Sequence, residues 1–190
     1  MSKTIGILTI QGDFDAHRKM LERLGVGVRA VLHANDLDDI DALVIPGGES
    51  TTISKGMQRL GLYGPLKERA EQGLPVLGTC AGAILLSRQV ENHAVPVLGL
   101  LDVTAKRNAY GTQVDSFSAV LNGDADEGLA GLRCIFIRAP QLVHPGPGVR
   151  VLARVDGKPV LVQQGKVLAA TFHPELTDDT RIHGRLLALA

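Results

Sequence analysis

The sequence predicts an α/β fold, an open, mainly parallel sheet with flanking helices and antiparallel additions in the C-terminal half. Three observations predict it. Short β-branched runs alternate with helical patterns through the first half, as in βαβ units. The second half changes to strands joined by short turns. The 190 residues, 45% hydrophobic and 21% charged, supply the core of one ordinary domain and little more, so 1–190 is read as a single domain.

The first strand is expected over 5–10. His17, Met20, Leu21 and Leu24 then recur at helical spacing, and Gly25 follows where a helix end favours a residue tolerant of positive φ. Strands are expected over 26–32 and 42–45, the second halted by Pro46-Gly47-Gly48. Helices follow over 51–60 and 65–72, Pro65 suiting a first helical turn, and a fourth strand over 75–78 delivers the chain to Cys80. Beyond it, 113–120, 133–137, 149–155, 159–163 and 166–172 are expected strands, with Gln164-Gly165 as a hairpin turn. The last helix is expected over 180–188, with Asp178 or Asp179 available as its cap.

Lys plus Arg number 20 and Asp plus Glu 20, so the formal net charge is zero and the basic footprint of a phosphate-backbone binder is missing. Four Phe, two Tyr and no Trp leave little material for stacking on single-stranded nucleic acid. Met1-Ser2-Lys3-Thr4-Ile5 leads straight into a strand pattern with no signal-peptide organisation, and no apolar run approaches the roughly 18 residues of a membrane span. The expectation is a cytoplasmic protein without nucleic-acid or membrane partners. Cys80 and Cys134 form neither a disulfide framework nor a zinc spacing, and with no metal or cofactor motif in view none is expected.

Three segments carry chemistry. Gly78-Thr79-Cys80-Ala81-Gly82 lies between an apolar strand and the apolar run Ala83-Ile84-Leu85-Leu86, a nucleophile elbow with Cys in the Ser position. Small neighbours let the turn clear the strand and helix that crowd it, and amides at the helix start favour a thiolate. A lone cysteine is otherwise a small buried hydrophobe. The second segment is Phe172-His173-Pro174-Glu175. A residue before proline prefers extended backbone, and in extended backbone i and i+2 share a face, so His173 and Glu175 are expected side by side, the carboxylate orienting an imidazole that takes the thiol proton. His17 and His183 are read as structural or solvated, His93 and His144 as solvated loop residues. The third segment is Pro46-Gly47-Gly48-Glu49-Ser50, at the strand end where open α/β sheets bind ligands. Its paired glycines let backbone approach a substrate and furnish a candidate oxyanion donor, with the Ala81 amide as the second. Glu49 repels phosphate and suits a cation such as an α-ammonium group.

In this order the three segments resemble the class I (triad) glutamine amidotransferases, whose glutaminase domains have a flavodoxin-like fold and hydrolyse glutamine through Cys, His and Glu. Within that class, Ile5 to Leu8 with Gln11-Gly12, Pro46 to Thr52, Arg107-Asn108 with Tyr110-Gly111, Gln113 to Phe117, Phe136 to Pro140 and Phe172 to Thr177 are similar to the glutaminase subunits of pyridoxal 5′-phosphate synthase. The resemblance implies that Cys80 is the nucleophile, His173 base and then acid, and Glu175 its orienting partner. It implies that Gly47 lies near the oxyanion site and that Gly48, Glu49, Ser50, Arg107, Ile137 and Arg138 bind L-glutamine, the guanidinium groups being suited to its α-carboxylate. It implies as partner a separate (β/α)₈-barrel synthase subunit that takes the ammonia for vitamin B6 biosynthesis, and oxyanion donors that are aligned only on docking. Thr9-Ile10 departs from the glycine-leucine usual in the family. Two rivals stay open at this point: a glutaminase serving another synthase, such as that of histidine biosynthesis, and a non-catalytic binding subunit on the same fold.

Overall fold

A computed structural model of the chain describes residues 3–107, 116–123, 125–126 and 128–190. Asn108, Tyr110, Gly111 and Gln113 to Asp115 lie outside the described residues. In chain order the elements are β1 (Thr4–Leu8), α1 (Phe14–Arg23), β2 (Gly27–Val31), β3 (Ala42–Ile45), α2 (Ser50–Arg59), α3 (Tyr63–Glu71), β4 (Val76–Thr79), α4 (Ala81–Leu86), β5 (Ser87–Glu91), β6 (Leu101–Lys106), β7 (Ser116–Val120), β8 (Arg133–Ile137), β9 (Gln141–Val143), β10 (Arg150–Val155), β11 (Lys158–Gln164), β12 (Val167–Ala170) and α5 (Arg181–Leu189), with one-turn 3₁₀ helices at Ala34–Leu37 and Pro174–Leu176.

The main sheet has seven strands in the order β10-β11-β12-β4-β3-β1-β2. Every pair from β12 through β4, β3 and β1 to β2 is parallel, and β11 and β10 extend the β12 edge antiparallel. Strand alternation divides the core. Ile5, Ile7, Val44, Leu77 and Leu168 face one side, against Leu21, Phe136, Phe172 and Leu186. Leu8, Leu43, Ile45 and Val76 face the other, against Ile53, Met57, Leu66 and Leu85. Covering both faces makes β3 and β4 buried along their whole length.

Helix boundaries follow local chemistry. Asp13 caps α1 by accepting from the Ala16 amide at 3.1 Å, and Gly25 beyond its end has φ 73°. Before α5, Thr180 holds the cap position without a side-chain bond, while Asp179 accepts from the Arg181 amide at 3.0 Å. Strand β1 stops at Leu8, two residues short of the expected end. Ile10 instead packs against α2, where a Cβ on Gly56 would come within 2.4 Å of its side chain.

The second half differs from expectation in one respect. Only β10 and β11 join the main sheet antiparallel; β7 and β8 form a separate two-stranded ribbon, and β5, β6 and β9 a separate three-stranded sheet. Strand β5, Ser-Arg-Gln-Val-Glu, is mostly exposed and lacks the apolar alternation that marks a strand, and β9 has only three residues. The hairpin turn moves by one residue: Gln164 pairs with Val167, and Gly165, at φ 56°, opens the two-residue loop.

Candidate active site

Strands β3, β4 and β12 are neighbours, and the chain segments leaving their carboxyl ends converge. At the end of β4, Cys80 is held at φ 48°, ψ −104°, a backbone state that costs a non-glycine residue about 1–3 kcal/mol. Packing enforces the turn. A Cβ on Gly78 would come within 2.6 Å of the Gly82 backbone, and one on Gly82 within 2.1 Å of the Ile45 carbonyl oxygen, so α4 can approach β3 and β4 only with glycine at both positions. Both cysteines are free thiols. Burial pushes the Cys134 thiol up to about 12, the behaviour of an inert core cysteine, whereas Cys80 lines the cleft.

His173 follows β12 and stands beside Cys80, both side chains meeting at Gly47, and Cys80 Sγ lies 3.8 Å from the Ile137 carbonyl oxygen. His173 Nδ1 lies 2.7 Å from Glu175 Oε1. The expected pairing is present, but by a different route: His173 precedes a one-turn 3₁₀ helix, Pro174–Leu176, that carries Glu175 back toward it, and no extended segment is involved. Proline's fixed φ starts that turn while keeping the preceding histidine out of the helical region. Burial alone would lower the His173 pKa; hydrogen bonds and charge from Cys80 and Glu175 outweigh it and push it up to about 10. Burial raises Glu175, and the two histidines it faces, His173 and His17, bring it below the usual carboxylate range.

Gly47 presses on this pair. A Cβ there would lie 2.6 Å from His173 Cε1 and 3.3 Å from Cys80 Cβ, so glycine lets the backbone approach both side chains. Its carbonyl in turn abuts Gly12, where a Cβ would meet the oxygen at 2.1 Å.

In front of Cys80 opens a cleft of about 440 Å³. Gly48, Glu49, Ser50, Cys80, Ala81, Arg107, Ile137, Arg138 and His173 all line it; Gly47 and Glu175 stand behind. Glu49 caps α2 through the Thr52 amide at 3.0 Å and accepts from Arg107 Nη2 at 2.8 Å. Its carboxyl is lowered, those bonds outweighing its partial burial. The acid and the guanidinium thus reach the cleft as a pair. The Ser50 hydroxyl is buried there without a partner. Gln11 also lines the cleft, its Oε1 accepting from the Glu49 amide at 2.8 Å, as do Ile84 and Pro140. None of these three was singled out for the site from sequence; the Gln11-Gly12 pair in the loop after β1 was the available signal. Among the described residues no cluster of His, Cys, Asp and Glu could hold a metal ion, and no helix is long and apolar enough to cross a membrane.

The remaining histidines divide. His93 and His144 are exposed, as expected. His17 and His183 are not solvated: both are wholly buried, directly behind Glu175.

The model of the SNO glutamine amidotransferase family matches residues 7–188. The chain is 51% identical to a Thermosipho africanus protein named pyridoxal 5′-phosphate synthase subunit PdxT, over 94% of each. It is 48% identical to the Thermus thermophilus protein of the same name, over 100% of this chain and 99% of the other. A crystal structure of a glutamine amidotransferase superposes with a TM-score of 0.92 at 46% identity, covering 97% of both chains. The PurLQS structure from Thermotoga maritima reaches 0.72 at 18% identity over 99% of each, a likeness of fold alone. With so little of its length unmatched, the chain belongs to the SNO glutamine amidotransferase family.

Proposed function

We propose that this chain, acting as one glutaminase domain, hydrolyses L-glutamine to L-glutamate and ammonia through Cys80, His173 and Glu175. It hands the ammonia to a separate (β/α)₈-barrel subunit of pyridoxal 5′-phosphate synthase. The observation that carries the reading is the row formed by a cysteine on a strained strand-to-helix turn, a histidine beside it, and a buried carboxylate 2.7 Å from that histidine. The family and the shared name of relatives near 50% identity support the substrate and the partner.

In this mechanism the proton that Cys80 gives up already rests on His173, held there by Glu175, as Sγ attacks the side-chain amide carbon of glutamine. Amides of Ala81 and Gly47 receive the charge that develops on the carbonyl oxygen. The imidazolium, held by Glu175, returns its proton to the departing nitrogen, and ammonia leaves a γ-glutamyl thioester on Cys80. Water then attacks that carbon, giving a proton to His173; the C–S bond breaks, the thiol regains the proton, and glutamate is released. The Glu49–Arg107 pair and Arg138 suit the two charges of the substrate's α-amino acid end. The unpartnered Ser50 hydroxyl supplies a further polar contact.

The test is glutamate release from L-glutamine with and without the synthase subunit, and with Cys80→Ala. Release that rises with the subunit and vanishes in the variant is the expected result. No release from a demonstrably formed complex would overturn the reading in favour of a binding subunit.

A further inference from the structure

Behind Glu175 the row continues into the core. His17, on α1, and His183, on α5, are separated by 166 residues of sequence, and His17 Nδ1 lies 2.9 Å from His183 Nε2. His17 Nε2 points the other way, 3.4 Å from Glu175 Oε2 and 3.3 Å from Thr79 Oγ1. Both imidazoles are 0% exposed. Glu175 Oε1 is engaged by His173, whereas Oε2 is buried and makes no hydrogen bond. His183 Nδ1 is likewise buried and unpartnered.

These atoms fix where the protons sit. His17 Nε2 faces Glu175 Oε2, which only accepts, and the Thr79 hydroxyl, which can accept as well as donate, so a hydrogen on Nε2 is the state that serves both oxygens. Burial, aided by His173, lowers the His17 pKa against the pull of Glu175 and of Asp13 at the start of α1, which leaves the ring neutral. A neutral imidazole has one N–H, so His17 Nδ1 accepts and His183 Nε2 donates to it. The unpartnered His183 Nδ1 at the end of the row is then a bare lone pair and not a stranded N–H.

We propose that His17 is a positioning residue: its neutral Nε2–H tautomer, set by His183, supplies the donor for Glu175 Oε2 and so keeps Oε1 turned toward His173. The proposal rests on the triad reading above. It accounts for two imidazoles lying in a core position that apolar side chains would fill at lower cost. At 3.4 Å the His17 nitrogen and Glu175 Oε2 are in reach of each other but not yet aligned as a hydrogen bond, in keeping with catalytic hydrogen bonds that tighten only when charge develops.

Two measurements on the whole chain test it. Nitrogen-15 shifts of the wild-type histidine rings should find His17 protonated on Nε2 and bare on Nδ1; the opposite tautomer overturns the proposal. In the complex with the synthase subunit, His17→Leu, which has no donor, should lose roughly tenfold to a hundredfold in kcat for glutamate release with KM within about twofold. His17→Gln can present N–H where Nε2 stood and should recover most of that loss. A Leu variant within twofold of wild type, or a Gln variant as impaired as Leu, overturns the proposal. If the Leu variant does not fold, the tautomer and the Gln variant decide. Cys80→Ala in the same assay separates the two claims. An active Cys80→Ala protein overturns the triad reading and this inference with it; a Cys80-dependent enzyme indifferent to His17→Leu overturns this inference alone.

Discussion

The two ends of one row of polar side chains hold their protons in opposite ways. At the cleft end, His173 is 13% exposed, stands beside Cys80 and is bonded to Glu175, and its pKa is pushed up to about 10 despite burial. At the sealed end, burial prevails: His17 is lowered, and His183 is lowered to about 3 with His17 adding to the effect. One carboxylate, Glu175, lies between the ends and is 2.7 Å from the first imidazole and 3.4 Å from the second. Its charge supports one imidazolium. The nearer, better aligned and partly solvated ring takes it, and the rings behind stay neutral and serve as hydrogen-bonding wedges. The same residue type thus holds a proton or refuses one according to distance and burial.

The comparison can be broken most forcefully at the cleft end. Cys80→Ala should lower glutamate release at least about 10³-fold while leaving unfolding midpoints nearly unchanged, since only the nucleophile is removed. Gly82→Ala attacks the same end through the backbone. Its methyl would sit 2.1 Å from the Ile45 carbonyl oxygen, so denaturant titration should show a loss of at least about 3 kcal/mol or no folded protein; a folded variant of wild-type stability would show that α4 can move away from β3. Glu175→Gln removes the charge that the two ends share. Turnover should fall roughly a hundredfold, and the His173 pKa should drop from about 10 toward its ordinary value, moving the alkaline limb of kcat/KM to lower pH. An unmoved limb would mean that Cys80 alone sets the His173 charge. Arg107→Met should act on binding only. Its ion pair with Glu49 is partly exposed and contributes under about 1 kcal/mol to stability, whereas KM for glutamine should rise about tenfold at similar kcat.

The cleft end was legible in the sequence and the sealed end was not, for a physical reason. The elbow shows locally because its requirements fall on adjacent residues: a strand, a turn too crowded for Cβ atoms at Gly78 and Gly82, and a helix. His173 and Glu175 are two residues apart, so their pairing could be anticipated even though a 3₁₀ turn, and not an extended strand, brings them together. His17 and His183 occupy ordinary helical positions 166 residues apart, and only the packing of α1 and α5 on the same side of the sheet makes them neighbours. The fold divides in the same way. Strands β1, β3 and β4 announce themselves by short apolar runs, because both faces are covered. The polar β5 and three-residue β9 are strands only because β6 lies between them to pair with.

The smallest effect sharpens the comparison through acid stability. A group whose folded pKa lies below its unfolded value contributes stability that is present above the unfolded pKa and lost as pH falls. His183, lowered from 6.5 to about 3, therefore contributes in full above pH 6.5 and progressively less as the unfolded chain takes up a proton that the native core refuses. His17, lowered by the same burial, acts in the same direction. His173 has the opposite sign: raised from 6.5 to about 10, its contribution is complete below pH 6.5 and is lost as pH rises through about 10. Between about pH 6.5 and pH 5, above the range where Glu175 begins to protonate, the sealed end alone should slope, by up to about 1.4 kcal/mol per pH unit for each histidine. Urea midpoints across that interval should fall with pH in the wild type and fall less steeply in His183→Leu, where only His17 is left to refuse the proton. Equal slopes in the two proteins would place the acid sensitivity elsewhere and remove the distinction between a proton-holding and a proton-refusing end of the row.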